Sequence, residues 1–249
     1  MSAAETLLLF HYDSTAGIYR QSDEFPPGNL DGIVSTAISA DGLTVVYADY
    51  DGHIGVFTNT AGKLTLRARW KVPGGTKADF CHMLDLAPDG KAFAAGGAGG
   101  MFYYFDVASF LATSQPTCSY STGVSGPVYG VAVAETGGRF AGVVNRGTAG
   151  DVCLVGLTGG AADLQAQLAL KRNPNCAALN AARGLLAVAD GHPDGTPGHY
   201  YAFDCATPGV VRLRWIYETG NMSWPIAIAA NGGAVVGGSD DSFIYYFTP

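Results

Sequence analysis

The feature that most constrains this chain is a phrase written five times. It reads IVSTAISADGLTVVYADYDGHIGVFT at 33–58, FCHMLDLAPDGKAFAAGGAGGMFYYFD at 80–106 and VYGVAVAETGGRFAGVVNRGTAGDVCLVGL at 128–157. It returns as NCAALNAARGLLAVADGHPDGTPGHYYAFD at 175–204 and as SWPIAIAANGGAVVGGSDDSFIYYFT at 223–248. Each copy holds a short apolar run, a tight turn such as Asp41-Gly42, Asp89-Gly90 or Asn231-Gly232, a second run, a looser polar turn and a third run. Asp-Gly and Asn-Gly between apolar segments favour hairpins, because type I′ turns need positive φ. Each copy therefore predicts a three-stranded meander.

A second phrase supplies a fourth strand. RARWKVPGG (67–75) follows the first meander and RLRWIYETG (212–220) the fourth, while CSYSTG (118–123) and LQAQLALK (164–171) fill the same slot after the second and third. After the fifth meander the slot stands empty at Pro249. LLLFHYDSTAG (7–17) can fill it from the other end, with Phe10 and Tyr12 standing where Trp215 and Tyr217 stand. Four strands at a period of roughly 47–55 residues is the signature of a β-propeller. We expect one all-β domain over 1–249, a five-bladed propeller of four-stranded blades. Its blade cores are 33–71, 80–123, 128–171, 175–218 and 223–249 plus 5–16, so that the N-terminal strand completes the last blade and leaves no exposed edge. Six blades, with one hidden in 12–32, is the alternative. No helix of normal length is expected, and VASFLATSQ (107–115) offers a single turn at most.

Composition fits this reading. At 48% hydrophobic and 14% charged the chain can bury a core, and its 35 glycines fall singly or in pairs between apolar runs, as many tight turns require. A net charge of −7 argues against a nucleic-acid partner, which leaves a basic footprint. The apolar run Leu7–Phe10 is too short for a signal-peptide core or a membrane span. Cys81, Cys118, Cys153, Cys176 and Cys205 are scattered and without C-x-x-C pairing, so reduced thiols in a cytoplasm are expected.

The W-x-Y-E-T-G phrase of Trp215–Gly220, the Asp-Gly turns and AVVGGSDDSFIYYF (234–247) resemble the repeats of quinoprotein-like and WD-repeat-like propellers. Those motifs are turn residues and an outer-strand aromatic, so the resemblance implies a fold. Pyrroloquinoline-quinone enzymes of that family would imply a larger barrel, adjacent cysteines and a calcium site, so no cofactor is expected here. Members without the cofactor are commonly interaction scaffolds, an inference by analogy.

In such a blade the loop leading into the inner strand and the loop joining the second and third strands share one face, the top. The opposite hairpins are terse, and most polar residues fall on top. These are Asp49, Asp51 and His53, then Asn145, Arg146 and Asp151, then Asp190, His192, Asp194 and His199, then Asp240 and Asp241. The leading-in loops add Arg20, Asp23, Glu24, Asp31, Lys77, Asp79, Lys171 and Arg172, and GIYRQSDEFPPGNLDG (17–32) is long enough to act as a lid. Carboxylates outnumber cations there, which favours a cationic or hydrogen-bonding ligand. Inner-strand beginnings bring Val34, Ser35, Cys81, His82, Tyr129, Asn175, Cys176, Ser223 and Trp224 to the channel mouth. Asp85 is the one carboxylate in an apolar inner strand, either a perturbed site residue or an acceptor for a neighbouring blade's backbone.

Two functions fit. One is a rigid scaffold that binds a protein, peptide or small molecule at the top face and channel mouth, with Trp224, Cys176, Asn175, Ser223, Asp49, Arg146, Asp190 and Asp240 as binding residues. The other is an enzyme of non-redox proton transfer or hydrolysis. It would use His82 as acid or base, Asp85 to orient it and Tyr129 as donor. No metal is expected, because His192, His199, Asp190 and Asp194 match no compact zinc spacing and Asp240-Asp241 lacks a calcium loop. Neither a membrane nor a nucleic acid is expected as partner, and the oligomeric state is open.

Overall fold

The computed structural model describes residues 6–25, 32–73 and 84–248. Among the described residues, alternating apolar runs and glycine turns form 21 strands and one short α-helix. Sheet I is β3 (Ile33–Ile38), β4 (Thr44–Asp49), β5 (His53–Thr60) and β6 (Lys63–Lys71). Sheet II is β7 (Leu84–Leu86), β8 (Ala92–Gly96), β9 (Met101–Asp106) and β10 (Cys118–Ser121). Sheet III is β11 (Val128–Val133), β12 (Arg139–Asn145), β13 (Gly150–Thr158) and β14 (Ala161–Leu170). Sheet IV is β15 (Pro174–Asn180), β16 (Leu185–Asp190), β17 (His199–Asp204) and β18 (Arg212–Glu218). Sheet V has three strands, β19 (Ser223–Ile228), β20 (Val235–Ser239) and β21 (Ile244–Phe247). Every neighbouring pair is antiparallel, so each sheet is a meander in chain order.

The turn residues act as the sequence reading requires. Gly42, Gly90, Gly137, Gly184 and Gly232 all have positive φ in the hairpins between first and second strands. Inner strands then pack in succession, β3 on β7, β7 on β11, β11 on β15 and β15 on β19. Apolar side chains fill the space between consecutive sheets. One packing device recurs. Phe102, second residue of β9, lies against Gly142 of the next sheet, where an added Cβ would meet its ring at 1.9 Å. Tyr200, second residue of β17, lies likewise against Gly237, where a Cβ would meet its ring at 2.4 Å. An aromatic knob thus enters a space that only glycine leaves open.

The N-terminal strand departs from expectation. β1 (Leu7–Asp13) pairs with β2 (Ile18–Phe25), not with β21, and the two form a separate hairpin. Leu7 and Phe25 pack on Val45, Tyr47 and Phe57 of sheet I, which places the hairpin before sheet I. The Asp13 carboxylate fixes its turn by accepting the amides of Thr15 and Ala16 at 3.0 and 3.1 Å, and Gly17 closes it at φ 68°. Much of 17–32, expected as a lid loop, is therefore strand, and 26–31 lie outside the described residues.

Among the described residues no fourth strand pairs with β21 in sheet V. Ile244 stands at the position of Phe102 and Tyr200, yet is 83% exposed while both of those are fully buried. Residues 107–113 also differ from expectation. They form a two-turn helix, α1 (Val107–Thr113), whose first turn is capped by Asp106 accepting the Ser109 amide at 2.8 Å. Among the described residues no helix is long and apolar enough to cross a membrane.

Candidate functional site: the top face and the channel

Four of the five inner strands, β3, β11, β15 and β19, enter the fold through an irregularity at the same place, between Ile33 and Ser35, Val128 and Gly130, Pro174 and Cys176, and Ser223 and Ile226. Just beyond it, the loop after the second strand closes onto the incoming segment by one repeated bond. The amides of Tyr50, Asn145, Gly191 and Asp240 donate to the carbonyls of Gly32, Pro127, Asn173 and Met222, each at 2.9 Å. These two sets of loops therefore lie on one face.

Carboxylates at the ends of second strands hold the top turns. Asp49 is fully buried and its Oδ1 accepts the amides of Asp51 and His53 at 3.1 and 2.8 Å. The His53 Nδ1 lies 3.3 Å from that oxygen, and Arg69 donates to Oδ2 at 3.2 Å. Burial pulls the His53 imidazole below its usual value, and Asp49 opposes the shift. Asp190 repeats the design in sheet IV. It is fully buried, accepts the His199 amide at 2.7 Å and the Tyr201 hydroxyl at 2.6 Å, and lies 3.1 Å from His199 Nδ1. Burial pushes the Asp190 carboxyl up, against the lowering effect of Tyr201 and His199.

Sheets III and V use other partners. Asn145 Oδ1 accepts the Gly147 amide at 2.7 Å, Arg146 pairs with Asp151 at 2.9 Å, and Gln167 donates to Asp151 at 3.2 Å. Asp241 accepts the Gly220 amide at 2.8 Å and the Tyr245 hydroxyl at 2.7 Å, while Asp240 is exposed. His192 and Asp194 are exposed and 3.6 Å apart. Among the described residues no group of three or more His, Cys, Asp or Glu side chains converges as metal ligands would.

At the channel, Leu84, Asp85, Val131, Cys176, Pro225 and Ile226 help to line a cavity of about 310 Å³ between the inner strands of sheets II to V. Asp85 and Cys176 are the two expected site residues it brings together. Asp85 accepts the Leu86 amide at 3.0 Å and, across the sheet boundary, the Val133 amide at 2.7 Å. Burial raises its pKa, opposed by those two amides, and burial likewise raises the Cys176 thiol. The backbone acceptor named in one of the two sequence readings of Asp85 is present in the Val133 bond.

His82, Cys81, Lys77 and Asp79 lie outside the described residues. Asn175 is buried and donates to the carbonyls of Gly191 at 3.1 Å and Ser223 at 3.5 Å, while the buried Ser223 hydroxyl lies 2.9 Å from that of Thr219. Tyr129 and Trp224 are half-buried, and neither lines the cavity; Tyr129 packs with the core between sheets III and IV. Sequence reasoning missed Arg69, Tyr201 and Tyr245 as partners of the top carboxylates. Their signal was alternation, since each sits on a third or fourth strand at a position facing the top turn.

No family model matches the chain, and no curated protein does. Among solved structures the chain is similar to Sqt1 of Chaetomium thermophilum, a WD40-type β-propeller whose structure is bound to the N-terminus of the ribosomal protein L10. The TM-score is 0.75 at 18% identity, covering 98% of this chain and 66% of that one. The all-β architecture of antiparallel four-stranded sheets is that of a β-propeller.

Proposed function

We propose that the chain is a rigid recognition scaffold that holds a protein or peptide against its top face. The observation that carries this reading is how the top carboxylates are used. Asp49, Asp190 and Asp241 each fix a turn through two or more hydrogen bonds, which makes the loops a firm platform and leaves little free acid–base chemistry. Exposed charges are then displayed on it, among them Asp51, Lys71, Arg146, His192, Asp194 and Asp240. Charges at a rim steer partners and set specificity more than affinity. The similar structure of Sqt1 holds the N-terminus of a ribosomal protein, which supports a terminal segment as the kind of ligand such a disc takes. Free thiols at Cys118, Cys153, Cys176 and Cys205 suit a reducing, cytoplasmic setting.

The test places a photo-crosslinking residue at Asp194 on the top face or at Thr207 in the loop after β17 on the opposite face. Capture of one defined partner from Asp194 and not from Thr207 is expected. Capture from Thr207 alone would overturn the reading.

A further inference from the structure

The strand sequence MFYYFD of β9 puts Tyr104 and Asp106 two residues apart, so both side chains stand on one face of sheet II. That face meets sheet III, where the Tyr104 ring stacks 6.1 Å from Phe140 of β12. The packing leaves a cleft of about 280 Å³ between the two sheets, among the loops opposite the top face. Tyr104, Asp106 and Thr117 line it from sheet II, and Gly137, Gly138 and Leu157 from sheet III.

Two of its polar groups are unspent. Tyr104 is 9% exposed, and among the described residues its hydroxyl has no hydrogen-bond partner. The hydroxyls of Tyr200 and Tyr201, by contrast, are held by the Gly238 carbonyl and the Asp190 carboxylate. Gly137, at φ 76°, keeps the space beside the Tyr104 hydroxyl, which an added Cβ would meet at 3.0 Å. Burial, and after it the Asp106 charge, pushes this phenol up to about 12, so it keeps its proton at neutral pH. Asp106 Oδ1 accepts the Ser109 amide at 2.8 Å, while among the described residues Oδ2 has no partner. A buried hydroxyl left unmet is unfavourable unless water or a ligand supplies the bond.

We propose that this cleft binds a guanidinium group on a short alkyl stem, at a site separate from the top face. Charge sets the sign of the ligand. Among the described residues no Lys or Arg lines the cleft, and Asp89, itself 3.7 Å from Lys91, adds a second carboxylate that acts on Tyr104. Shape sets its form. Residues two apart on a strand stand roughly 7 Å apart, and a planar fork of five donors covers that span better than a compact ammonium does. Leu157 gives the stem an apolar wall, and an added Cβ at Gly138 or Gly160 would meet nothing within 4 Å, so the mouth is open. A cleft near the lower bound of small-molecule pockets, about 300 Å³, holds one such group and little more.

The probes are propylguanidine, its neutral isostere propylurea, and N-acetyl-arginine methylamide, each titrated into the full chain by calorimetry at low salt. Propylguanidine should saturate with a Kd of about 1 mM or below and bind at least about tenfold tighter than propylurea. Asp106→Asn keeps an acceptor for the α1 cap and should weaken propylguanidine about tenfold. Tyr104→Phe keeps the ring beside Phe140 and should weaken it about threefold to tenfold. Gly138→Leu fills the cleft from an open position and should abolish binding with an unchanged melt. If a variant fails to fold, the comparison with propylurea on the native chain decides. Arginine methylamide binding as tightly as propylguanidine assigns the site to a side chain of another protein, and much weaker binding assigns it to a free molecule.

No binding of propylguanidine at about 10 mM would overturn the proposal. So would equal binding of propylurea, or undiminished binding to a folded Gly138→Leu variant. Crosslinking from Asp194 is read separately, so the top-face reading stands or falls independently of this one.

Discussion

The carboxylate of Asp85 in β7 accepts a hydrogen bond of 2.7 Å from the amide of Val133 in β11, 48 residues later and in the next sheet. This bond joins two inner strands across a sheet boundary, at the wall of the channel cavity. Asp85 thus staples two neighbouring sheets together.

Asp85→Ala should lower stability by about 1–3 kcal/mol, because it leaves the Leu86 and Val133 amides without their acceptor. Asp85→Asn keeps one acceptor oxygen and should cost less. The acid side carries a further signature. Burial raises the folded-state pKa of Asp85 above its unfolded value of 3.8, so the folded chain holds the proton more tightly. Its contribution to stability is greatest below 3.8 and declines as pH rises through the elevated folded value. Asp85→Asn should remove that decline, read as a flatter profile of denaturant midpoint against pH than in Cys176→Ala, which alters the facing thiol alone.

Tyr201→Phe should cost about 1–3 kcal/mol by leaving the fully buried Asp190 Oδ2 short of its donor. Urea unfolding measures it. In the double variant with Asp190→Asn the loss should be less than the sum of the two singles, because both remove the same 2.6 Å bond.

Gly142→Ala should destabilise by about 1–3 kcal/mol, since the new methyl would occupy the place of the Phe102 ring. Pairing it with Phe102→Leu should recover part of the loss. Gly138→Ala, where an added Cβ meets nothing within 4 Å, should leave the melting temperature nearly unchanged.

Thiol labelling in the native state should be ordered. Cys118 is half-buried while Cys153, Cys176 and Cys205 are buried with thiols held above their usual value by burial. Among the described cysteines Cys118 should react first with iodoacetamide near pH 8, and Cys153, Cys176 and Cys205 only at the rate of opening. Mass spectrometry of tryptic peptides reads the order.

The meanders were legible because their determinants are local. An Asp-Gly turn between apolar runs specifies a hairpin without help from the rest of the chain, and Gly42, Gly90 and Gly232 adopt the left-handed φ it needs. The N-terminal hairpin was not legible for a physical reason. Ile18–Phe25 is mostly exposed and reads IYRQSDEF, so no buried face imposes a period of two on it. Its pairing is set by the Asp13 turn, an Asx-type cue that is easily lost beside the stronger match of Phe10 and Tyr12 to Trp215 and Tyr217. The top carboxylates were found by position, but their work in fixing turns rests on Arg69, Tyr201 and Tyr245, whose convergence depends on sheet register.

The account depends most on where the first strand pairs, because the pairing of β1 with β2 replaces the closure of sheet V expected from the sequence. The direct measurement is disulfide formation in two double variants under mild oxidation. Tyr12→Cys with Tyr19→Cys joins register partners of β1 and β2 and should crosslink rapidly within one chain. Tyr12→Cys with Tyr246→Cys should not. The reverse pattern would place the N-terminal strand beside the last hairpin and contradict the account.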